Sequence, residues 1–189
     1  MSIAKYDRSQ PLAGHHLPVW AGRIALLLSA LVSLLTGVSQ ARASVADHSQ
    51  LSAAVLADHN QLRTKLNIPP MAWNEELAHR AAAWADHLAR LGYMMHSGAP
   101  EGENIWMGSA GEYSYDIMVR DWADEGRFFR AGYFPNVSTT GNWQDAAHFT
   151  QMVWRETRRV GCGVASRDGW DILVCRYSTP GNVLGRKPY

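Results

Sequence analysis

The chain has 189 residues, enough for one domain with a sizeable core and short for two. Its apolar share of 47% and charged share of 19% are those of a soluble globular protein. The formal charge of +1 arises in the first 43 residues, where Lys5, Arg8, Arg23 and Arg42 face only Asp7. The remainder nets −2, which leaves no basic field to recruit nucleic acid.

Residues 1–23 are polar with scattered cations, and 24–38 form an almost unbroken apolar run. Ala41-Arg42-Ala43 follows, the small-x-small pattern of a cleavage site. The run falls short of the roughly 20 residues of a spanning helix. The expectation is a cleaved signal peptide over 1–43, with an uncleaved anchor as the alternative, and a mature domain over 44–189 with no integral membrane segment. That places the protein outside the cytoplasm, in the periplasm if the host is a Gram-negative bacterium.

Residues 51–66 read as a helix, with Leu51, Val55, Leu62 and Leu66 near one face, and Pro69-Pro70 stop it. His59 and Asn60 lie inside it and are expected to be a polar brace, since a lone helical histidine is more often satisfied packing than a ligand. Asn74 is an N-cap for a second helix, helped by Glu75-Glu76 at its positive end. Leu77, Ala81, Trp84, Leu88 and Leu91 make its apolar stripe, and Gly92 is placed to cap its C-terminus. A third helix is expected over 115–128. There Met118, Trp122 and Glu125 share a face, so Glu125 rides on the stripe to be buried. An ionised carboxylate there is costly unless it is paired or bound to a cation.

A loop over 129–142 holds Tyr133-Phe134-Pro135, read as partly exposed aromatics, and the glycosylation sequon Asn136-Val137-Ser138. A short helix is expected over 148–154. Asp168-Gly169 is then the strongest two-residue hairpin signal. Centring the turn on that pair sets Cys162 opposite Cys175 at a non-hydrogen-bonded position, with Cα atoms roughly 4.5 Å apart. That separation suits a disulfide, worth about 2–3 kcal/mol for so short a loop.

Four segments recur together: His59-Asn60-Gln61-Leu62-Arg63, Gly102-Glu103-Asn104-Ile105-Trp106, the run from Ala147-His148-Phe149-Thr150 to Gly161-Cys162-Gly163, and Cys175-Arg176-Tyr177-Ser178-Thr179-Pro180-Gly181-Asn182. In this order they resemble the CAP superfamily of cysteine-rich secretory, antigen five and pathogenesis-related group one proteins, over almost everything after the leader. The resemblance implies an α+β fold, a three-layer α-β-α sandwich around a small antiparallel sheet. It departs from the family pattern at Thr179, at Ala147 before the histidine, and in having one disulfide.

The resemblance also implies a central cleft shared by His96, Glu103, Glu125 and His148. Imidazoles favour zinc and similar ions, and carboxylates supply charge or hold bound water, so the expected cofactor is a labile divalent cation with zinc favoured. His96 and His148 are expected as direct ligands, with Glu103 and Glu125 inside or just behind the coordination sphere. Phe129, Tyr133 and Phe134 resemble a lipid-contacting loop of sterol-binding relatives. The resulting reading is a secreted, monomeric binding or defence-type module with a lipid, sterol or extracellular partner. The alternative is a metal-dependent hydrolase with Glu103 or Glu125 as general base. Nucleophilic catalysis lacks its parts: both cysteines are expected in the bridge, and Ser97 adjoins His96, where adjacent residues rarely point at a common atom.

Overall fold

In the computed structural model the described residues are 29–189, with side chains described from residue 47 onward. The expected signal peptide lies largely outside them. Among the described residues no helix is long and apolar enough to cross a membrane. The chain divides into two units, Met1–Asp47 and His48–Tyr189. The buried core side chains among the described residues belong to the second.

The elements run α1 (Ser29–Lys65), β1 (Ala72–Trp73), α2 (Glu75–Leu91), β2 (Gly102–Ser109), α3 (Tyr115–Asp124), α4 (Ala147–Met152), β3 (Arg159–Arg167) and β4 (Trp170–Ser178). Short 3-10 turns at Glu125–Phe128 and Trp143–Ala146 precede the last helix. The four strands are ordered β1-β3-β4-β2, so β2 is an edge strand; β1 alone runs parallel to its neighbour. The α-β-α sandwich is as expected. On one face Ala81, Ala85 and Leu88 of α2 meet Ile105, Ile172 and Val174. On the other, Leu51 and Val55 of α1 and Met118, Val119 and Trp122 of α3 meet Leu173, Cys175 and Tyr177.

The hairpin register is the one that the turn dictates. Asp168 and Gly169 take positive φ of 51° and 83°, Arg167 pairs with Trp170, and Cys162 pairs with Cys175. The disulfide joins them across a Cα–Cα distance of 4.1 Å. α2 also starts and stops where predicted. Asn74 Oδ1 accepts the Leu77 N–H at 2.8 Å, and Gly92, at φ 75°, donates its N–H to Leu88 O at 2.9 Å.

The stripe on α2 is rotated from the expected one. Trp84 is half-buried and Leu91 exposed, while Ala78, Ala85 and Ala89 join the core. A seven-residue step falls behind a 3.6-residue turn, so the series from Leu77 drifts off the buried face. The centre of that face is alanine because α2 lies almost on the backbone of β3. A Cβ on Gly163 would stand 2.4 Å from Ala82 Cα, and one on Gly161 would stand 2.3 Å from the Ala78 nitrogen. The glycines flanking Cys162 are what lets helix and strand touch.

Across the sheet, α1 is fixed by polar groups from its inner face. His59 is fully buried, its Nδ1 donating to Val55 O at 2.8 Å and its Nε2 accepting from the Tyr177 hydroxyl at 3.0 Å. Asn60 bonds both backbone groups of Met71. Arg63, also fully buried, donates to four carbonyls: Pro69, Met152, Trp154 and Thr157, at 2.7–3.0 Å. Burial, with Arg158 and Arg155 nearby, lowers its guanidinium to about 10, and the four carbonyls keep the charge tolerable inside.

Two outcomes follow from these contacts. Gly163→Val should cost at least about 2–3 kcal/mol in urea denaturation, because the intruding carbons meet helix backbone; unchanged stability would mean that α2 does not sit against β3. Burial pushes the His59 imidazole down from 6.5 to about 4, so the unfolded chain binds a proton there that the folded one does not. The stabilisation is complete above about pH 6.5 and is lost as the pH falls toward 4, by roughly 3 kcal/mol. Denaturation midpoints across that window should show this slope, and His59→Gln should flatten it.

Candidate functional site

Two glutamates, each withdrawn from water to a different extent, organise the candidate site. Glu103 is the second residue of β2, opposite Arg176 of β4. Alternation along the strand sets it on the same face as Ile105, the face that packs on α2. Glu125 follows the last residue of α3, where the helix tightens into a 3-10 turn rather than running on to Phe128 as expected. It does stand beside the buried stripe, one turn past Trp122.

Each carboxylate is satisfied by a histidine and by backbone. Glu103 Oε1 accepts from His96 Nδ1 at 2.8 Å and from the Ser97 N–H at 3.0 Å. Its Oε2 accepts from Ser97 Oγ at 2.7 Å and faces Arg176 at 3.3 Å. Glu125 Oε1 accepts from His148 Nδ1 at 2.7 Å, and its Oε2 takes the N–H groups of His148 and Phe149 at 3.0 and 3.3 Å. Those two amides open α4, so the Glu125 carboxylate closes the start of that helix. The cost of burying Glu125, which called for a partner, is met by protein donors.

Burial alone would push the Glu103 carboxyl up. The hydrogen bonds from His96 and Ser97 and the charge of Arg176 outweigh it and hold the group below the usual carboxylate range. An ion-pair chain extends behind it, from Arg176 to Glu101 at 3.2 Å and on to Arg80 of α2 at 2.8 Å. Ser97, Arg176 and Glu101 were not found from the sequence as parts of the site. The His96 and Ser97 side chains reach the same carboxylate through different oxygens, Oε1 and Oε2, not a common atom.

The pairs approach edge strand β2 from its two faces. Glu103 lies on the α2 side. Asn104, the next residue, points to the other side and donates its Nδ2 to His148 O at 3.2 Å. His148 stacks over Trp122 with ring centroids 5.9 Å apart. The arrangement is thus two His–Glu pairs flanking one strand. Among the described residues, no three His, Cys, Asp or Glu side chains stand where they could hold a metal ion together.

The donor chemistry still leaves an opening. With Nδ1–H committed to a carboxylate, each ring carries its remaining lone pair on Nε2. Neither Nε2 has a hydrogen-bond partner among the described residues. His96 is 65% exposed and His148 30% exposed in their side chains, so water reaches both. A carboxylate behind Nδ1 is the arrangement that orients a metal-binding histidine and makes it more basic. A cation bound here would be held through Nε2 and completed by water, not enclosed as in a structural site.

The aromatic loop is mostly packed. Phe134, expected to be partly exposed, is buried against Val137 and Trp154, with Trp143 edge-on at 5.2 Å. Phe129 lies between Phe149 and Tyr189, at 5.2 and 5.4 Å. Tyr133 alone of the three is exposed, under the Lys187 ammonium at 4.9 Å. Phe134 is withdrawn because its backbone is tied on both sides to the C-terminal segment, a long-range pairing with no local sequence signal.

Residues 56–177 match the model of the cysteine-rich secretory protein family, CAP. The chain is 34% identical over 168 residues to pathogenesis-related protein 1 of Arabidopsis thaliana, covering 88% of this chain and 96% of that one. It is 36% identical over 129 residues to a PR-1 type pathogenesis-related protein of Sambucus nigra, covering 67% and 75%. Among solved structures it resembles BmVAL-1 with a TM-score of 0.62 at 24% identity, covering 74% of this chain and 82% of that one. It also resembles NaASP2, solved with Zn2+, with a TM-score of 0.61 at 24% identity, covering 74% and 85%.

If Glu125 is a structural acceptor, Glu125→Ala should cost about 2–3 kcal/mol, since two amides and an imidazole lose their partner at once. Glu125→Gln, which keeps one carbonyl oxygen in place, should recover part of it. Chemical denaturation of both variants checks this; an alanine variant as stable as the parent would contradict it.

Proposed function

The chain belongs to the CAP family of cysteine-rich secretory proteins, and on that premise we propose an extracellular binding module of the defence type, carrying a labile divalent cation on His96 and His148. The leader over 1–43 supports the location. The observation that carries the cation reading is the engagement of both Nδ1 atoms by glutamate, which leaves two water-facing Nε2 lone pairs beside one edge strand. Zinc suits neutral imidazole, and water would complete its shell.

Binding is favoured over hydrolysis by the same hydrogen bonds. A general base needs a lone pair free to take a proton from water. Glu103 and Glu125 each already accept a protein donor on both oxygens, and the donors hold Glu103 below the usual carboxylate range, where it is a weaker base. For the lipid reading, Tyr133 is the residue of the expected three that solvent reaches, so contact at the surface is the form we carry forward.

Zinc titration of the purified protein by calorimetry tests the cation. His96→Ala/His148→Ala should abolish the binding isotherm. Glu103→Gln and Glu125→Gln, which disturb the rings from behind, should each weaken it by roughly 10–100-fold. Zinc binding unchanged in the double variant would remove the site as described.

A further inference from the structure

The register of the sheet leaves one row of backbone groups unpaired, along the outer edge of β2. Arg167 and Trp170 flank the two-residue turn and bond each other, so alternate residues of β4 from Trp170 onward bond β3. The residues between them, Asp171, Leu173, Cys175 and Tyr177, bond Gly108, Trp106, Asn104 and Gly102 of β2. Glu103, Ile105 and Met107 therefore turn their N–H and C=O groups away from the sheet. The end of the strand keeps the same alternation. Ala110 N–H reaches Gly169 O at 2.9 Å on the β4 side, while Ser109 O accepts the Glu112 N–H at 3.3 Å on the other. Among the described residues no backbone group bonds Glu103, Ile105 or Met107 from that side.

Such a row is a template for pairing, and proteins ordinarily guard it with lysine, proline, a bulge or a very short strand. β2 has eight residues, none of them lysine or proline, and its register with β4 runs unbroken from Gly102 to Ser109. Its only charge, Glu103, turns its carboxylate to His96, Ser97 and Arg176. The row is also recessed: Ile105 and Trp106 are each 8% exposed, although they stand at the rim of the sheet. Side chains wall it on both faces. On the α2 face, half-buried Trp84 packs against the cluster of Ile105 and Met107, and its Nε1 donates to the carbonyl of exposed Met95 at 3.2 Å. On the other face, exposed Tyr113 leans edge-on against Trp106, with ring centroids 5.2 Å apart.

We infer that this slot takes an extended peptide segment of another protein, which adds to β2 as a further strand of the four-stranded sheet. Glu103, Ile105 and Met107 offer one donor and one acceptor each, at the spacing of alternate strand residues. Only a main chain in the extended form returns the same groups at the same spacing. The recess decides the form of the partner: a single strand passes between the walls, and the sheet edge of a second folded copy does not. Both walls are apolar, so the segment is a near-continuous run of valine, isoleucine or aromatic residues rather than an alternating one. The pairing needs no cation, so it stands apart from the use of His96 and His148.

The probe is an immobilised set of heptapeptides drawn from valine, isoleucine, tyrosine and threonine, tested with the full-length protein in the presence of chelator. Retained peptides are remade with N-methyl groups on alternate amides. Methylating the set that faces β2 should weaken binding about tenfold or more, since each lost donor also leaves its acceptor unpaired. Methylating the other set should change it little. On the protein, Met107→Pro removes an outward N–H that β4 does not use, a change that edge strands tolerate. It should abolish retention, and Met107→Val should keep it. Amide hydrogen exchange needs no variant. Glu103, Ile105 and Met107 should exchange faster than Asn104 and Trp106 in the free protein, and slow about tenfold when a retained peptide is added. Three results would overturn the inference. The first is that no peptide is retained. The second is equal weakening by either methylated set, which means that side chains alone bind. The third is slow exchange at Ile105 and Met107 in a free protein that sediments as a dimer, which means that a second copy fills the edge. The zinc isotherm is read separately, and none of these results touches it.

Discussion

A carboxylate removed from water must find donors, and Glu103 and Glu125 find theirs by the same device. One oxygen receives an imidazole Nδ1–H and backbone amides close the shell, although the two residues come from different elements and face opposite sides of a strand. In each pair the histidine or its immediate neighbour also supplies the amide. The glutamate therefore fixes the backbone of the histidine segment as well as its ring. That constraint shapes the chemistry open to the site: every glutamate oxygen already accepts a protein donor, the Nδ1 atoms are committed, and the two Nε2 atoms remain.

The rest of the fold holds the pairs in place. Gly161 and Gly163 let α2 press on β3, which sets the layer from which Arg80 reaches Glu101 and, through it, Arg176 and Glu103. On the other face, His59 and Arg63 tie α1 to Tyr177 and to the carbonyls that end α4. The Tyr177 hydroxyl is shared with the Asn104 side chain, and Asn104 in turn holds the carbonyl of His148. A continuous polar line thus runs from the C-terminal part of α1 to the candidate site. Burial raises the Tyr177 phenol well above its ordinary value, so that line stays uncharged at physiological pH.

What the sequence could reveal was local. The Asp-Gly turn specified the hairpin register and the facing cysteines, Asn74 and Gly92 bounded α2, and Glu125 on an apolar stripe announced that it needed a partner. The identity of the four candidate residues came from resemblance, because they are spread over four segments with no metal-ligand spacing. Other features had no local signature. β2 is buried on both faces over most of its length and shows no alternation, so it did not read as a strand. Without β2, the pairing of Glu103 with Arg176 could not be drawn. Phe134 looks exposed in a loop until its backbone is seen pairing with the tail. In each case the deciding contact lies far along the chain.

The candidate site depends on which ring nitrogen of each histidine carries the proton. Long-range 1H–15N correlation spectra of the imidazoles, assigned by His96→Ala and His148→Ala, read this directly at neutral pH. The geometry predicts the Nδ1–H tautomer for both residues, with an unprotonated Nε2 whose 15N shift moves when zinc is added. Nε2–H tautomers, or rings averaging freely between the two forms, would mean that the glutamates do not hold the histidines, and the site would lose its basis.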